Sequence, residues 1–250
     1  MTMPRTLSAE ILDGLSEDDP AAIRSRRDLR RVHRVMGTRR IIVRALLGCG
    51  AACGEAARWR VLELGAGDGT LMLGIARAMQ GKWPAVDLTL LDRLNLVGAV
   101  TIADYATAGW TARSAVADAL DWAASDVDPL MEGGASSAWD LIIANLFLHH
   151  FEGARLAALL RAIARRSGRF FACEPRRGWL ALGASHLIGA IGAGAVTRTD
   201  AVLSVRAGFR GREITALWPA DAPRSTLIEY AAGLFSHCFY AERCRDANSL

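Results

Sequence analysis

Two groups of residues in this sequence could do chemistry: a glycine-rich loop preceded by an acid, and a pair of histidines. The loop lies in E-L-G-A-G-D-G at 63–69, where every second residue from Gly65 on is glycine. Glycine has no side chain to hold a ligand away from the backbone, so such a loop suits close contact with a ligand. His149 and His150 lie in N-L-F-L-H-H-F at 145–151, and imidazole can take a proton near neutral pH.

Strands and helices alternate around these residues. Five short segments are predicted to be strands: 61–64, which is a short buried strand, and 86–91, 113–117, 139–144 and 169–173. Helices are predicted between and after them: 70–80, 97–107, 152–166, 200–207 and 212–217. Two further strands, 226–231 and 235–242, flank a Gly-containing turn and predict an antiparallel hairpin. The alternation predicts a mostly parallel sheet with helices on both faces.

The first sixty residues have a helical pattern. Asp19 is a suitable N-cap before Pro20, Gly37 is expected to end this first helix, and a second helix is predicted over 41–47. Nine arginines lie between positions 24 and 44. They alternate with apolar residues and have no interleaved aromatics, so we interpret them as a solvated helix face and expect no nucleic-acid partner.

Acids stand at the ends of three successive predicted strands: Glu63, Asp92 and Asp118. Each alone could be a helix cap or a loop residue, but their common position indicates a ligand site at one edge of the sheet. The dinucleotide fingerprint G-x-G-x-x-G does not match, because Thr70 stands where its third glycine belongs. An acid followed by G-x-G-x-G instead resembles the first motif of class I S-adenosylmethionine-dependent methyltransferases.

This resemblance covers residues 60 to about 175. Within the superfamily, the chain is most similar to small-molecule methyltransferases of the ubiquinone-biosynthesis type. The resemblance implies an α/β fold: a doubly wound, mostly parallel, seven-stranded Rossmann-like sheet with an antiparallel C-terminal hairpin. It also implies an N-terminal helical lid over 1–57 and a methyltransferase domain over 58–250. The implied cofactor is S-adenosyl-L-methionine, bound by Glu63, Gly65, Ala66, Gly67, Gly69, Asp92, Arg93, Asp118, Ala119, Asn145 and Leu146.

The resemblance also implies the catalytic residues His149, His150 and Glu174. His149 occupies the place of the basic histidine in the LHDW-type motif of small-molecule O-methyltransferases, although His150 replaces the acid there and Phe151 the tryptophan. Glu174, in C-E-P-R-R, could orient a histidine or grip substrate, or it could pair with a neighbouring arginine. The expected reaction is O-methylation of a phenolic or polyketide-like metabolite of secondary metabolism, with C- or N-methylation as alternatives. His237 is expected to be a core histidine.

Composition limits the other functions. The net charge is +4 and the pI about 9.0. The five cysteines form no CxxC pair, so we expect reduced thiols, no metal site and a cytoplasmic protein. Residues 179–197 carry no formal charge. We interpret them as a buried or pocket-lining helix and not as a membrane span, while an apolar wall for a greasy substrate or a surface resting on a membrane stays an alternative.

Three other functions can be compared with the residues present. A short-chain nicotinamide-dependent reductase needs a tyrosine and a lysine four apart, and the sole lysine, Lys82, has no tyrosine near it. Amino-methylating enzymes of nucleic acids carry an Asn/Asp-Pro-Pro-aromatic motif, and N-L-F-L differs from it. A catalytically inactive protein that binds S-adenosylmethionine and acts on a partner remains open. The expected partner is a small-molecule acceptor, and a homodimer is compatible with the sequence.

Overall fold

The computed structural model describes residues 3–50, 58–131 and 138–244. Its strands are β1 Arg58–Leu64, β2 Ala85–Asp92, β3 Trp110–Val116, β4 Leu141–Asn145, β5 Arg169–Pro175, β6 Ser225–Ala232 and β7 Ser236–Arg243. They form one seven-stranded sheet in the order β3-β2-β1-β4-β5-β7-β6. The first five strands are parallel, whereas β7 is antiparallel to both β5 and β6. The predicted fold class is confirmed.

Helices connect these strands. They are α1 Pro20–Met36, α2 Thr38–Gly50, α3 Thr70–Met79, α4 Ala99–Thr107, α5 Ala119–Ala124, α6 Gly153–Arg166, α7 Trp179–Leu187, α8 Ala195–Ala207 and α9 Glu213–Leu217. Short 3₁₀ turns occur at Leu12–Gly14, Leu148–His150 and Ile188–Ile191. Within the described residues, no helix is long and apolar enough to cross a membrane. Residue 57, where the predicted lid ends, lies outside the described residues.

The core lies on both faces of the sheet, as β1 illustrates. Leu62 and Leu64 belong to the apolar cluster that packs against α5, α6 and α9, whereas Val61 belongs to the cluster that packs against α2, α3 and α4. Successive side chains of a strand point to opposite faces, so a continuous apolar run is needed where both faces are covered. This is the physical reason that the four inner parallel strands contain apolar runs, whereas the edge strand β3 is mostly exposed and carries polar residues.

Several predicted boundaries were wrong for identifiable reasons. β1 and β3 each begin three residues earlier than expected, because buried Trp59 and Trp110 alternate with polar neighbours and break the apolar run. α5 was not predicted. Residues 179–197 do not form a single helix: α7 ends at Leu187, Gly192 has φ +83°, and α8 starts at position 195, five residues before the predicted start.

His237 and three of the five cysteines lie in the described part of the chain with their side chains. Cys173, Cys238 and Cys244 are free thiols, while the side chain of Cys49 and residue Cys53 lie outside the described part of the chain. The imidazole of His237 is buried, and its Nε2 lies 2.8 Å from Glu229 Oε1. His237 is therefore a core histidine, as expected.

Helix α1 has the predicted ends and packs against α8. The Asp19 carboxylate accepts a hydrogen bond from the Ala21 amide, and Gly37 ends the helix with φ +68°. Within the interface, buried Asp28 accepts hydrogen bonds from the Gly194 amide at 2.7 Å and from the Thr197 hydroxyl at 3.2 Å. Asp28 thus caps the start of α8 from a different helix.

Residues 3–14, the N-terminal strap, run along α8. The strap is held by its backbone at two places: the Thr6 amide donates to the Arg206 carbonyl at 3.1 Å, and the Ile11 and Leu12 amides donate to the Asp200 carboxylate at 2.8 and 3.0 Å. The Arg5 guanidinium donates to the Phe151 carbonyl at 2.8 Å. These bonds fix the strap against the turn that carries the histidine pair.

We expect Asp28→Ala to lower the free energy of unfolding by about 3 kcal/mol, because the Gly194 amide and Thr197 hydroxyl would lose a buried charged partner. Asp104→Ala is the matched control, since Asp104 pairs with Arg77 at 2.7 Å on the surface. Exposed pairs of this kind contribute at most about 1 kcal/mol. Urea unfolding measures both variants. Equal losses in the two variants would show that Asp28 does not hold α1 to α8.

Candidate active site

The loop between β1 and α3 has a backbone shape that favours glycine. Gly65, Gly67 and Gly69 have φ of +68°, +56° and +71°. A Cβ atom at Gly65 would lie 2.3 Å from Cδ2 of Phe147. Any side chain at these positions would therefore strain the backbone, and at Gly65 it would also collide with the ring beside it.

Asp92, at the tip of β2, holds this loop. The Gly67 amide donates to Asp92 Oδ2 at 2.8 Å, and the Leu94 amide donates to Oδ1 at 3.0 Å. The Tyr105 hydroxyl fixes the far end of the loop by donating to the Gly69 carbonyl at 2.7 Å. Since each carboxylate oxygen has two lone pairs, Asp92 can still accept two hydroxyl donors.

Two buried oxygens beside the loop have no hydrogen-bond partner among the described residues: Glu63 Oε2 and Asn145 Oδ1. Burial raises the pKa of Glu63 well above its ordinary value, and the negative charges of Asp92 and Asp68 add to this rise. Unsatisfied buried polar groups are rare in native proteins. The pair therefore fits a ligand that brings N–H donors or positive charge.

The other predicted cofactor residues surround this place. The Ala66 amide donates to the Leu91 carbonyl at 3.0 Å. Leu146 follows Asn145 and has φ +48°, a conformation that is uncommon for a residue with a side chain. Asp118 caps α5 by accepting from the Leu120 amide at 2.7 Å, and Ala119 is buried behind it.

Arg93 makes a contact that its sequence position does not suggest. Its guanidinium donates to the backbone carbonyl of Asp13 in the N-terminal strap and lies 3.6 Å from the Asp13 carboxylate. On the other side, Arg30 of α1 forms a 2.7 Å ion pair with Asp68 of the glycine loop. The N-terminal region thus contacts the loop through α1 and the neighbouring strand tip through the strap.

An apolar cavity of about 250 Å³ lies between α1, α7 and α8. Leu146 lines it, so the cavity begins at the residue after Asn145. Its apolar walls include Leu29, Val32, Met36, Ala181, Leu187, Ile188, Ile191 and Val205, and its polar groups are Glu10, Ser25, Ser185, Thr197, Asp200 and Ser204. Residues 179–197 therefore line a pocket, as expected, although they do so as two helices.

The turn after β4 is organised by Glu174, which is fully buried at the end of β5. One carboxylate oxygen accepts from the amides of Phe147 and Leu148 at 3.1 and 2.9 Å. The other lies 2.8 Å from His149 Nδ1 and accepts from the His149 amide at 3.3 Å. Glu174 therefore contacts a histidine ring and not a neighbouring arginine, since Arg177 pairs with Glu213.

Glu10 of the N-terminal strap covers the other nitrogen of this ring. Its Oε1 lies 3.3 Å from His149 Nε2 and accepts a hydrogen bond from the Ser204 hydroxyl. Burial alone would lower the pKa of His149, but the hydrogen bonds to Glu10 and Glu174 outweigh burial and raise it to about 9. The ring is therefore an imidazolium at neutral pH. Glu10, and not His149, lines the cavity.

His150 lies beside this ring. The two ring centroids are 4.2 Å apart, and His150 Nδ1 lies 3.2 Å from the Asp13 carboxylate. One ligand-type atom each of Glu10, His149 and His150 lies within 4.8 Å of the others, a spacing that a metal ion could use. Both nitrogens of His149 lie within hydrogen-bond distance of carboxylates, however, so a metal ion would have to displace a proton from this ring. The arrangement is a hydrogen-bonded cluster of acids and imidazoles.

No protein-family model and no curated protein matches the chain in sequence. Solved structures match its fold. The plantazolicin methyltransferase BpumL in complex with SAH is 12% identical, with a TM-score of 0.60 over 91% of this chain and 92% of that chain. An O-methyltransferase family protein from Burkholderia thailandensis is 16% identical, with a TM-score of 0.50 over 81% of this chain and 56% of that chain.

The chain has the fold of the S-adenosylmethionine-dependent methyltransferases. In this methyltransferase fold, β1 pairs in parallel with both β2 and β4, and β2 pairs in parallel with β3. The carboxyl ends of the four strands therefore meet at one edge. That edge gathers Glu63, the glycine loop, Asp92 and Asn145, and it has Asp118 at its outer end.

Sequence reasoning missed three parts of the candidate site. Glu10 is 139 positions from His149, and no local pattern marks it. Arg30 was one of nine arginines assigned to a solvated face, and its pairing with Asp68 depends on tertiary packing. The cavity walls on α1 and α8 carry ordinary amphipathic patterns. Only the uncharged stretch at 179–197 indicated an apolar pocket before the structure.

We expect Glu10→Gln to lower the pKa of His149 from about 9, because one of its two carboxylate partners would lose its charge. NMR titration of labelled histidine measures this change. The folded-state pKa is raised, so the ring stabilises the fold fully below its ordinary value near 6.5, and this contribution falls as pH rises through about 9. Asp13→Asn, beside His150, is the control. An unchanged His149 pKa in Glu10→Gln would contradict the assigned contact.

Proposed function

We propose that this protein transfers a methyl group from S-adenosyl-L-methionine to an oxygen of a small, largely apolar acceptor. The observation that carries the proposal is the pair of unpartnered buried oxygens, Glu63 Oε2 and Asn145 Oδ1, beside a positive-φ glycine loop. The next residue, Leu146, lines an apolar cavity. A site for a cationic ligand and a site for an apolar one therefore adjoin at a single residue.

The proposed cofactor residues have separate tasks. Glu63 and Asn145 would bind the amino group and face the positive sulfonium, Asp92 would accept both ribose hydroxyls, and the loop 65–69, with Ala66 between the glycines, would contact the ligand through its backbone. Asp118, Ala119 and Arg93 would border the adenine, and Leu146 would separate cofactor from acceptor. When bound, S-adenosylmethionine supplies an electrophilic methyl group for in-line displacement, and the protein's part is to align the acceptor.

The cavity supports an acceptor with an apolar body and one polar end. Its volume of about 250 Å³ lies just below the range of about 300–1,000 Å³ that is usual for drug-sized ligands, so the acceptor is small. Glu10 and Ser204 provide polar groups at one part of an otherwise apolar wall. A phenol or a polyketide-like aromatic alcohol has such an apolar body and such a polar end. The helical region 1–57 would serve as the lid over it.

Proton removal is assigned to Glu10 and His149 acting as a pair. Glu10 contacts the cavity and holds His149 Nε2, while Glu174 holds Nδ1 and orients the ring. Because the two groups share a proton, they titrate together. The pair must first lose the imidazolium proton, which has a pKa of about 9 on His149. It can then take the proton from the hydroxyl group of the methyl acceptor. His150, packed on the ring and paired with Asp13, is proposed to position it.

Asp92→Ala tests the cofactor site. We expect calorimetry to show S-adenosylmethionine binding weakened at least about tenfold, because two hydroxyl donors would lose a charged acceptor. The variant also frees the Gly67 amide, so Tyr105→Phe serves as a control that loosens the same loop without removing the carboxylate. A binding loss confined to Asp92→Ala supports the ribose role. Unchanged affinity in that variant would refute it.

His149→Gln tests the proton acceptor, with labelled S-adenosylmethionine and a panel of phenols. We expect kcat to fall about a hundredfold or more and KM to change little, because the ring does not line the cavity. In the wild type, kcat/KM should rise with pH toward about 9, and in Glu10→Gln this rise should occur at lower pH.

His237→Gln is the matched control, since His237 is as buried as His149 and lies in the hairpin. Equal kcat values for His149→Gln and the wild type would remove the ring from the mechanism. Tight cofactor binding without transfer to any acceptor would instead favour the inactive partner protein.

A further inference from the structure

The surface of α7 and the turn after it is apolar and exposed. The exposed fractions of Trp179, Leu180, Leu187 and Ile191 are 65%, 63%, 71% and 37%; we call these four residues the apolar patch. No formally charged residue interrupts the stretch from 179 to 197. Large apolar groups grouped in this way usually mark a contact surface.

The apolar patch is continuous with the mouth of the cavity. Leu187 and Ile191 belong to the patch and also line the cavity. Val35 of α1 lines the cavity as well and is 60% exposed. The mouth therefore lies between α1 and α7, and its rim consists of exposed aliphatic side chains. An apolar acceptor can pass from the patch into the cavity along these aliphatic side chains.

Three exposed arginines stand beside the patch, around residues 189–194. Arg31 Nη1 lies 3.5 Å from the Gly192 carbonyl oxygen and pairs with Asp28 Oδ1 at 2.8 Å, so most of the unpaired positive charge comes from the other two arginines. A Cβ atom at Gly194 would be 2.9 Å from Arg24 Nε, and one at Gly189 would be 3.4 Å from Arg198 Nε. The neighbouring carboxylates of Asp28 and Asp200 are buried beneath this surface. The outer surface thus combines apolar side chains with positive charge.

We propose that this face docks on an anionic lipid bilayer, and that the acceptor enters the cavity from the bilayer. Tryptophan and leucine side chains can insert at the boundary between headgroups and acyl chains, while the arginines contact lipid phosphates. A second copy of the chain is a poorer occupant, because it would bring the arginines of two copies together. The docking is independent of the proposed methyl transfer, and only the acceptor's route depends on that function.

Vesicle flotation tests the docking without an activity measurement. The probes are vesicles of phosphatidylglycerol with phosphatidylcholine, and vesicles of phosphatidylcholine alone. We expect the wild-type chain to float with the anionic vesicles and to bind the neutral ones at least about tenfold more weakly, since about 1 kcal/mol is associated with each arginine near an anionic surface. Raising the salt to 0.5 M shortens the electrostatic screening length to about 4 Å, which should weaken binding to the anionic vesicles.

The double variant Trp179→Ser/Leu180→Ser removes patch residues that do not line the cavity. It should bind anionic vesicles at least about tenfold more weakly, because two large apolar side chains leave the contact. Val100→Ser/Val127→Ser is the matched control, since these valines are 77% and 56% exposed on other elements. Methyl transfer to a dissolved phenol, measured in the same variants, shows separately whether the proposed function holds.

Two results would overturn the docking proposal. One is a wild-type chain that stays unbound with anionic vesicles, and the other is a patch variant that floats as well as the wild type. Light scattering decides a third case: a dimer that the patch variant converts to a monomer would assign the face to a second copy of the chain. Binding that is lost in the patch variant, with dissolved-phenol transfer intact, would support the proposal.

Discussion

The buried carboxylate of Glu174 is the interaction on which the rest of the site depends. It stands at the end of β5 and accepts hydrogen bonds from three successive amides of the turn after β4, at 147–149. A buried carboxylate with this many donors fixes its surroundings, because leaving the charge unpaired would be far more costly than holding the turn. The ring of Phe147 is thereby set against Gly65, and the imidazole of His149 is set toward the strap.

The N-terminal region completes the site through polar contacts that are largely buried. Asp28 joins α1 to the start of α8, Asp200 holds the strap, and Glu10 ends on His149. The carboxylates of Asp28 and Asp200 are shielded from water, so their hydrogen bonds are stronger than similar bonds on the surface. The pairing of Arg30 with Asp68 is more exposed and correspondingly weaker. Opening of the N-terminal region would therefore begin at the glycine loop more readily than at α8.

Much of the fold and part of the site could be predicted from the sequence, for local reasons. Short strand segments, a loop of alternating glycines and acids at strand ends are short-range patterns, so Glu63, Gly65 and Asp92 could be placed at one edge of the sheet without coordinates. The strand starts at Trp59 and Trp110 were missed because tertiary burial overrode an alternating pattern. Glu10 could not be found, because its role exists only where distant segments meet. The raised pKa of His149 could not be predicted for the same reason, since the sequence does not show that two distant carboxylates contact its ring.

Charge balance connects the cofactor loop with the histidine cluster. Around His149, the carboxylates of Glu10 and Glu174 are balanced by the imidazolium and by the Arg5 guanidinium, which lies 3.4 Å from the His149 carbonyl oxygen. Beside the glycine loop, burial raises the pKa of Glu63, and the charges of Asp92 and Asp68 raise it further, so the carboxylate form is disfavoured without a partner. A bound cation would lower that pKa and satisfy the free oxygen. In a cavity with apolar walls, where charges interact strongly, the site therefore favours a positive ligand on one side of Leu146 and a neutral, apolar one on the other.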